Sequence, residues 1–334
     1  PVVNELRSRR IPFRTLFSGQ QLDLYEDVKE LVPPPDFSFS GAFSGRGKHN
    51  TLGMSFMTIC GASERLFADH DFGMVVVQGD TTTAWALAQM AFYNGIRVAH
   101  VEAGLRTFDF ENPFPEELNR VLIDKLAFLN FAPTKTAAEN LRKSGARNIR
   151  LVGNTIVDAV NYFKSSLSLA AETSNLVPVT LHRRENHAVM DVLFDELNGI
   201  ALKNPDLELI LPIHPNPNVK KHRPRLTADN IKVIPPVGYP EMLGLISRAR
   251  FLISDSGGLQ EEATCFNKRV IIVRKVTERP EVLDIGLGVL AGSRIGKYIK
   301  WAKAAPPASR ASPYGKGTSA MKIADCLMEY THGS

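Results

Sequence analysis

Residues 251–262 read FLISDSGGLQEE. The apolar run 251–254 suits a strand covered on both faces, because such strands carry near-continuous apolar residues. Asp255-Ser256-Gly257-Gly258 then makes a small turn, and residues 259–266 have helical pattern. Strand, glycine turn and helix in immediate succession form the repeating unit of an open parallel sheet.

The unit recurs in both directions. Strand candidates are 13–17, 74–77, 97–101, 129–132 and 149–152 in the first half, and 177–181, 207–212, 231–234, 251–254 and 270–273 in the second. Helical stretches lie at 82–93, 115–127, 134–144, 189–203, 240–248 and 259–266. The alternation predicts an α/β protein with two Rossmann-like, doubly wound domains facing a cleft. The first domain is expected over residues 1–157 and the second over 176–316, with a polar connection between them. A last helix, within 317–334, is expected to return to the first domain. Proline and glycine clusters mark loops at 33–35, 38–47 and 304–313.

Composition narrows the class. The chain has 334 residues, 44% hydrophobic and 22% charged, which is ordinary for a globular protein and excludes a disordered chain. Its three cysteines, Cys60, Cys265 and Cys326, are too scattered for a disulfide framework or a zinc site, and point to a reducing compartment. No apolar run reaches the ~18 residues of a membrane span. Residues 1–14 carry four arginines and no long apolar stretch, so no signal peptide is read, and the expected location is the cytoplasm. The net charge of +5 is not gathered into a Lys/Arg block, which disfavours nucleic acid and leaves a small phosphorylated ligand. The eight histidines make no metal-ligand spacing, and no G-x-G-x-x-G fingerprint follows a strand; neither metal nor cofactor is expected.

Ligands of open parallel sheets bind beyond the carboxyl ends of the strands. Beyond 74–77 stands Asp80, followed by threonines that open a helix. A helix cap and a catalytic carboxylate compete as readings there. Beyond 97–101 stands Glu102, which could pair with Arg106 or act on a substrate. Glu116 opens the next helix, where acids also suit the positive dipole end. Three acids in successive loops of one sheet edge favour acid/base work. Beyond 177–181 come His182 and Arg183, and beyond 207–212 comes His214, in a loop fixed by two prolines. Guanidinium forks and histidines suit a diphosphate. Ser256, Gly257 and Gly258 would cradle an anion at a helix start. Glu262 would accept from ribose hydroxyls, and Arg279 would bind phosphate or pair with Glu278 or Glu281. The residues alone thus predict a cleft enzyme for a phosphorylated, nucleotide-bearing ligand.

The sequence resembles the non-hydrolysing UDP-N-acetylglucosamine 2-epimerases, whose fold is similar to that of GT-B glycosyltransferases. The motifs that carry the resemblance are QGDTTT (78–83), HVEAGLRT (100–107), PEELNR (115–120), GNTIVD (153–158), HRREN (182–186), IHPN (213–216), DSGGLQEE (255–262) and TERPE (277–281). They cover most of the chain in the family's order. The resemblance implies inversion at carbon 2 of UDP-GlcNAc to give UDP-ManNAc, by loss of UDP to a glycal and its re-addition. It implies Asp80, Glu102, Glu116 and His182 as catalytic residues. It implies His214, Ser256, Gly257, Gly258 and Arg279 at the diphosphate, where the reading of the residues adds Arg183, and Glu262 at the ribose. It also implies a homodimer without cofactor or metal. Competing outcomes are a hydrolysing relative that releases ManNAc, a binder of nucleotide sugars without catalysis, an epimerase acting on a modified UDP-sugar acid, and a glycosyltransferase. Two departures stand out. The family opens with a strand and a G-T-R-P-E-x-x-K loop, whereas this sequence opens with Pro1-Val2-Val3-Asn4-Glu5-Leu6, which resembles the helix after that loop. Ser18-Gly19-Gln20-Gln21 replaces a usual G-Q-H, so no allosteric site is carried over. Residues 291–313 match loosely.

Overall fold

A computed structural model describes residues 1–19, 32–43, 51–166, 174–308 and 312–331. The expectations for Gln20, Gln21 and the loop residues 44–47, 171–173 and 309–311 lie outside the described residues. The chain forms two compact units, Pro1–Asp158 with Tyr314–Ser334, and Ala159–Pro313.

In the first unit, strands β1 (Leu16–Phe17) and β2 (Phe37–Ser38) pair in parallel. The strand expected at 13–17 is therefore cut to two residues, and part of the loop expected at 38–47 is a strand end followed by a 3₁₀ turn, Ser40–Phe43. The reason is local. The Asp36 carboxylate accepts from Thr15 N at 2.6 Å, which pins the two segments side by side. The main sheet holds β3 (Met74–Gln78), β4 (Arg97–Val101), β5 (Leu129–Ala132) and β6 (Ile149–Leu151), all parallel and in chain order.

Successive residues of β4 point to opposite faces, as the pleat demands. Val98 packs with Ile59, Ala84, Leu87 and Ile123 on one side. Ala99 and Val101 pack with Leu6, Phe131, Ile323 and Leu327 on the other. Helices Leu52–Asp69, Thr82–Tyr93 and Glu116–Leu126 cover the first face, and Val2–Ser8 and Ser319–Thr331 the second. Asp158 accepts from the first N–H groups of the last helix, Ser319 at 3.2 Å and Ala320 at 3.0 Å. Phe131 is fully buried, and its truncation to Ala would cost about 3–5 kcal/mol.

The helix Leu52–Asp69 escaped the sequence reading. Gly53, Gly61, Thr58 and Ser63 dilute its apolar stripe, and the two hydroxyls fold back onto the carbonyls of Met54 and Ile59. Three helices of this unit share one start signal. Thr51, Thr81 and Thr134 each accept from the N–H three residues on, at 3.1–3.2 Å, a cap worth about 1 kcal/mol each.

The second unit contains β7 (Leu176–Thr180), β8 (Glu208–Pro212), β9 (Ile231–Ile234), β10 (Leu252–Ser254), β11 (Val270–Ile272) and β12 (Gly288–Leu290), all parallel, in the order β12-β11-β10-β7-β8-β9. The chain begins in the middle, winds outward through β8 and β9, and returns to build the other half. Strand order therefore reverses between β7 and β10, the switch point where open sheets leave room for ligands. β12 was not read from sequence, because Gly288 interrupts a short and only half-buried run. Among the described residues, no helix is long and apolar enough to cross a membrane.

Candidate active site

In the first unit, two of the acids stand where strands end, and the third opens the helix Glu116–Leu126. Gln78 of β3 pairs with Val101 of β4, so Asp80 and Glu102 follow neighbouring strand ends. Gly79 turns the chain with φ of +70°, and Glu102 takes φ of +67°, a conformation that costs a non-glycine residue energy and clusters at functional sites. The helix that follows Asp80 is capped by Thr81 Oγ1. The Asp80 carboxylate is thus not used as the cap. It accepts from Arg120 Nε at 3.0 Å and from Arg120 Nη2, while its backbone carbonyl accepts from Asn119 at 2.8 Å.

Two adjacent glutamates open the helix Glu116–Leu126 and differ completely. Glu117 is fully buried. Its oxygens accept from Thr107 N and Phe108 N, both at 3.0 Å, and from Arg120 Nη1 at 2.9 Å. Glu116 has one buried oxygen, Oε2, with no hydrogen-bond partner among the described residues. A buried acceptor left open is costly unless something else meets it.

Beneath these acids lies a network that the sequence reading missed. His100, fully buried, has Nδ1 at 2.6 Å from Asp124 Oδ1 and Nε2 at 2.8 Å from the Gly79 carbonyl. Asp124 also accepts from Arg106 Nη2 at 2.6 Å and from Gly104 N at 3.2 Å. A signal was present. Glu117, Arg120 and Asp124 are spaced i, i+3, i+7, which puts them on one helix face, and that face is buried.

In the second unit, the candidate residues gather at the switch point. Asp255, fully buried beyond β10, accepts from His182 N at 2.9 Å, Arg183 N at 2.9 Å and Asn186 Nδ2 at 3.0 Å. This carboxylate, quoted in the sequence but given no role there, shapes the whole HRREN turn. His182 Nδ1 stands 3.3 Å from Asp255, and its ring stacks on His214 with centroids 5.5 Å apart. Burial holds both imidazoles below the ordinary histidine range; Asp255 opposes this, and neighbouring Arg183 and His187 add to it at His182. His214 Nδ1 accepts from Asn216 N at 3.2 Å, which leaves Nε2 as the site of the ring proton. Arg183 Nε is buried with no hydrogen-bond partner among the described residues.

Ser256 is the N-cap of the helix Gly257–Cys265, yet its side chain makes no capping bond. The first N–H groups of that helix stay available for an anion. Arg279 lies against this helix start, and a Cβ on Gly257 would sit 2.6 Å from its Nη1. Arg279 does not stand alone. Its Nε is 2.7 Å from Glu261, Nη1 meets Glu278, and Glu278 also takes Arg274 Nη1 at 2.8 Å. Of the two readings offered for Arg279, the ion pair with Glu278 is present and the guanidinium also borders the cradle. Glu262 is buried one turn further on. Burial pushes its carboxyl up to about 7 against the pull of the Tyr239 hydroxyl and Arg279. Among the described residues, no group of three or more His, Cys, Asp or Glu could hold a metal ion.

The profile of the UDP-N-acetylglucosamine 2-epimerase family matches residues 6–328. The chain belongs to that family. It is 34% identical to UDP-N-acetylglucosamine 2-epimerase of Campylobacter jejuni, over 98% of this chain and 93% of the relative. It is 36% identical to the Methanococcus maripaludis enzyme of the same name, again over 98% and 93%. Among solved structures, UDP-GlcNAc 2-epimerase from Neisseria meningitidis bound to UDP-GlcNAc superposes with a TM-score of 0.89 at 29% identity, covering 98% of this chain and 95% of that one. The Methanocaldococcus jannaschii epimerase in complex with UDP-GlcNAc and UDP gives 0.83 at 32% identity, with the same coverage. The α/β, GT-B-like fold of this epimerase family is therefore the fold of the chain.

Proposed function

We propose that the protein interconverts UDP-GlcNAc and UDP-ManNAc without net hydrolysis. The observation that carries this reading is the contrast between Glu116 and Glu117: one carboxylate is consumed by the fold, and its neighbour keeps a buried oxygen without a partner. A carboxylate held ready in this way, on the helix whose Arg120 holds Asp80, suits removal of a carbon-bound proton.

In this reading, a carboxylate takes the proton from carbon 2. The C–H electrons form the carbon 1–carbon 2 double bond, and the electrons of the carbon 1–oxygen bond leave with UDP. The glycal and UDP then recombine, the UDP oxygen bonding carbon 1 again while a second acid protonates carbon 2 from the other face. Asp80, Glu102 and Glu116 supply the base and the acid. A carbon acid is weak, so departure of UDP needs stabilisation where charge develops. His182, Arg183, His214, Arg279 and the N–H groups of the Ser256-Gly257-Gly258 turn supply it at the diphosphate. Glu262 accepts from the ribose hydroxyls. The same reading places the protein in the cytoplasm as a homodimer, which sedimentation would check.

Proton NMR of UDP-GlcNAc incubated with the protein in heavy water tests the proposal. Deuterium at carbon 2 together with a UDP-ManNAc anomeric signal is expected. Free ManNAc would replace it with the hydrolysing reaction. UDP binding without exchange would replace it with a binder.

A further inference from the structure

We propose that His100 is a positioning residue, which as a doubly protonated ring locks the turn bearing Asp80 to the turn bearing Glu102. The inference rests on the acid/base reading of those two residues and adds a group that touches neither substrate nor reacting atoms.

The geometry points to this role from both ring nitrogens. Nδ1 faces a carboxylate oxygen of Asp124 at 2.6 Å, and Nε2 faces the Gly79 carbonyl at 2.8 Å. Both partners are acceptors, and only a ring that carries both protons donates to both. Water does not compete for the bond to Asp124, because His100 and Asp124 are fully buried. Gly79 is the residue before Asp80, and its N–H donates to the Val101 carbonyl at 3.0 Å. Its two polar backbone groups are therefore both tied to β4, one through Val101 and one through the His100 ring. Rotation of the Gly79-Asp80 peptide plane, which would swing the Asp80 carboxylate, breaks the bond to the ring. At its other nitrogen the ring reaches Asp124, which also holds Gly104 N in the loop that carries Glu102, and Arg106 after it. Thus one imidazole and one carboxylate connect the two acid-bearing loops to the helix Glu116–Leu126, which carries the third acid.

The test compares three substitutions that separate the two ring contacts. Gln reaches the position of Nε2 and keeps a donor to Gly79, Asn reaches only that of Nδ1, and Leu keeps neither. Turnover of UDP-GlcNAc, its KM and calorimetric UDP affinity are measured for His100→Gln, His100→Asn and His100→Leu. The expected result is a kcat lowered about a hundredfold in His100→Asn and His100→Leu, with KM and UDP affinity within about threefold, and substantial recovery in His100→Gln. Activity of His100→Asn equal to or above that of His100→Gln overturns the proposal, as does wild-type kcat in His100→Leu. Should the variants not fold, histidine-labelled wild-type protein decides through nitrogen NMR of the rings. Two protonated nitrogens at His100 support the proposal, and a ring with either nitrogen bare overturns it. This readout needs no turnover, so a wild-type protein inactive on UDP-GlcNAc would sink the functional reading separately.

Discussion

Gly257 and Arg279 occupy one space: a Cβ at position 257 would lie 2.6 Å from Nη1 of the arginine and 3.0 Å from its Cζ. The arginine has little room to retreat, since Glu261 and Glu278 both pair with it and Glu278 Oε1 would itself lie 3.0 Å from that Cβ. The missing side chain lets a guanidinium stand directly against a helix start whose cap residue leaves its N–H groups open.

Gly257→Ala is therefore expected to weaken UDP binding about tenfold by displacing Arg279, an effect of about 1.4 kcal/mol. The overpacking should also lower stability by about 1–3 kcal/mol, more than the better helix propensity of alanine returns. Titration calorimetry with UDP reads the effect. Wild-type affinity in the variant would separate Arg279 from the anion cradle.

The two adjacent glutamates should dissociate function from stability. Glu116→Gln is expected to abolish deuterium exchange at carbon 2 with the melting temperature nearly unchanged. Glu117→Gln is expected to destabilise the first unit by about 2–3 kcal/mol, because it weakens three bonds to a buried carboxylate and leaves Arg120 under-neutralised. Denaturant unfolding and the exchange assay, run on both variants, check this. Equal loss of exchange without destabilisation in both would remove the distinction.

Glu262 should make stability depend on pH. Its folded carboxyl is raised from the ordinary 4.5 to about 7, so the fold favours the neutral form. The corresponding stability is complete below about pH 4.5 and is lost as pH rises through about 7. Glu262→Gln is neutral throughout. Its advantage over wild type should grow across that window and level off above it, by on the order of 3 kcal/mol. Thermal melts at a series of pH values test the sign. An advantage that shrinks with rising pH would contradict the burial argument.

UDP affinity should depend on pH through His182. Burial and its basic neighbours lower its affinity for a proton in the free protein. A bound diphosphate reverses that balance, so binding takes up protons and strengthens as pH falls toward and below the ordinary histidine value of 6.5. His182→Asn should flatten this dependence. Calorimetry in buffers of different ionisation enthalpy measures the proton uptake directly, and zero uptake in wild type would rule out the linkage.

Much of the fold was legible because its signals are local. The runs 74–77, 97–101, 129–132 and 251–254 carry their burial in their composition, and the glycine turns and threonine caps mark where helices start. The polar residues beyond those runs announced the candidate site, including the acids of three loops and the HRREN turn. Less legible were elements whose pattern is diluted, such as the helix Leu52–Asp69 and the strand Gly288–Leu290.

By itself, the sequence determined most of the strands and helices, that they alternate, and which polar side chains stand beyond the strand ends. Composition and period act over a few residues, and that range suffices for these properties. Only the tertiary structure decided that the second sheet reverses between β7 and β10, that Thr81 rather than Asp80 caps a helix, and that Glu117 is spent while Glu116 is not. Those outcomes depend on which buried donor meets which acceptor. The partners are far apart along the chain, 40 residues for Asp80 and Arg120 and 73 for His182 and Asp255, and only packing brings them within hydrogen-bond reach.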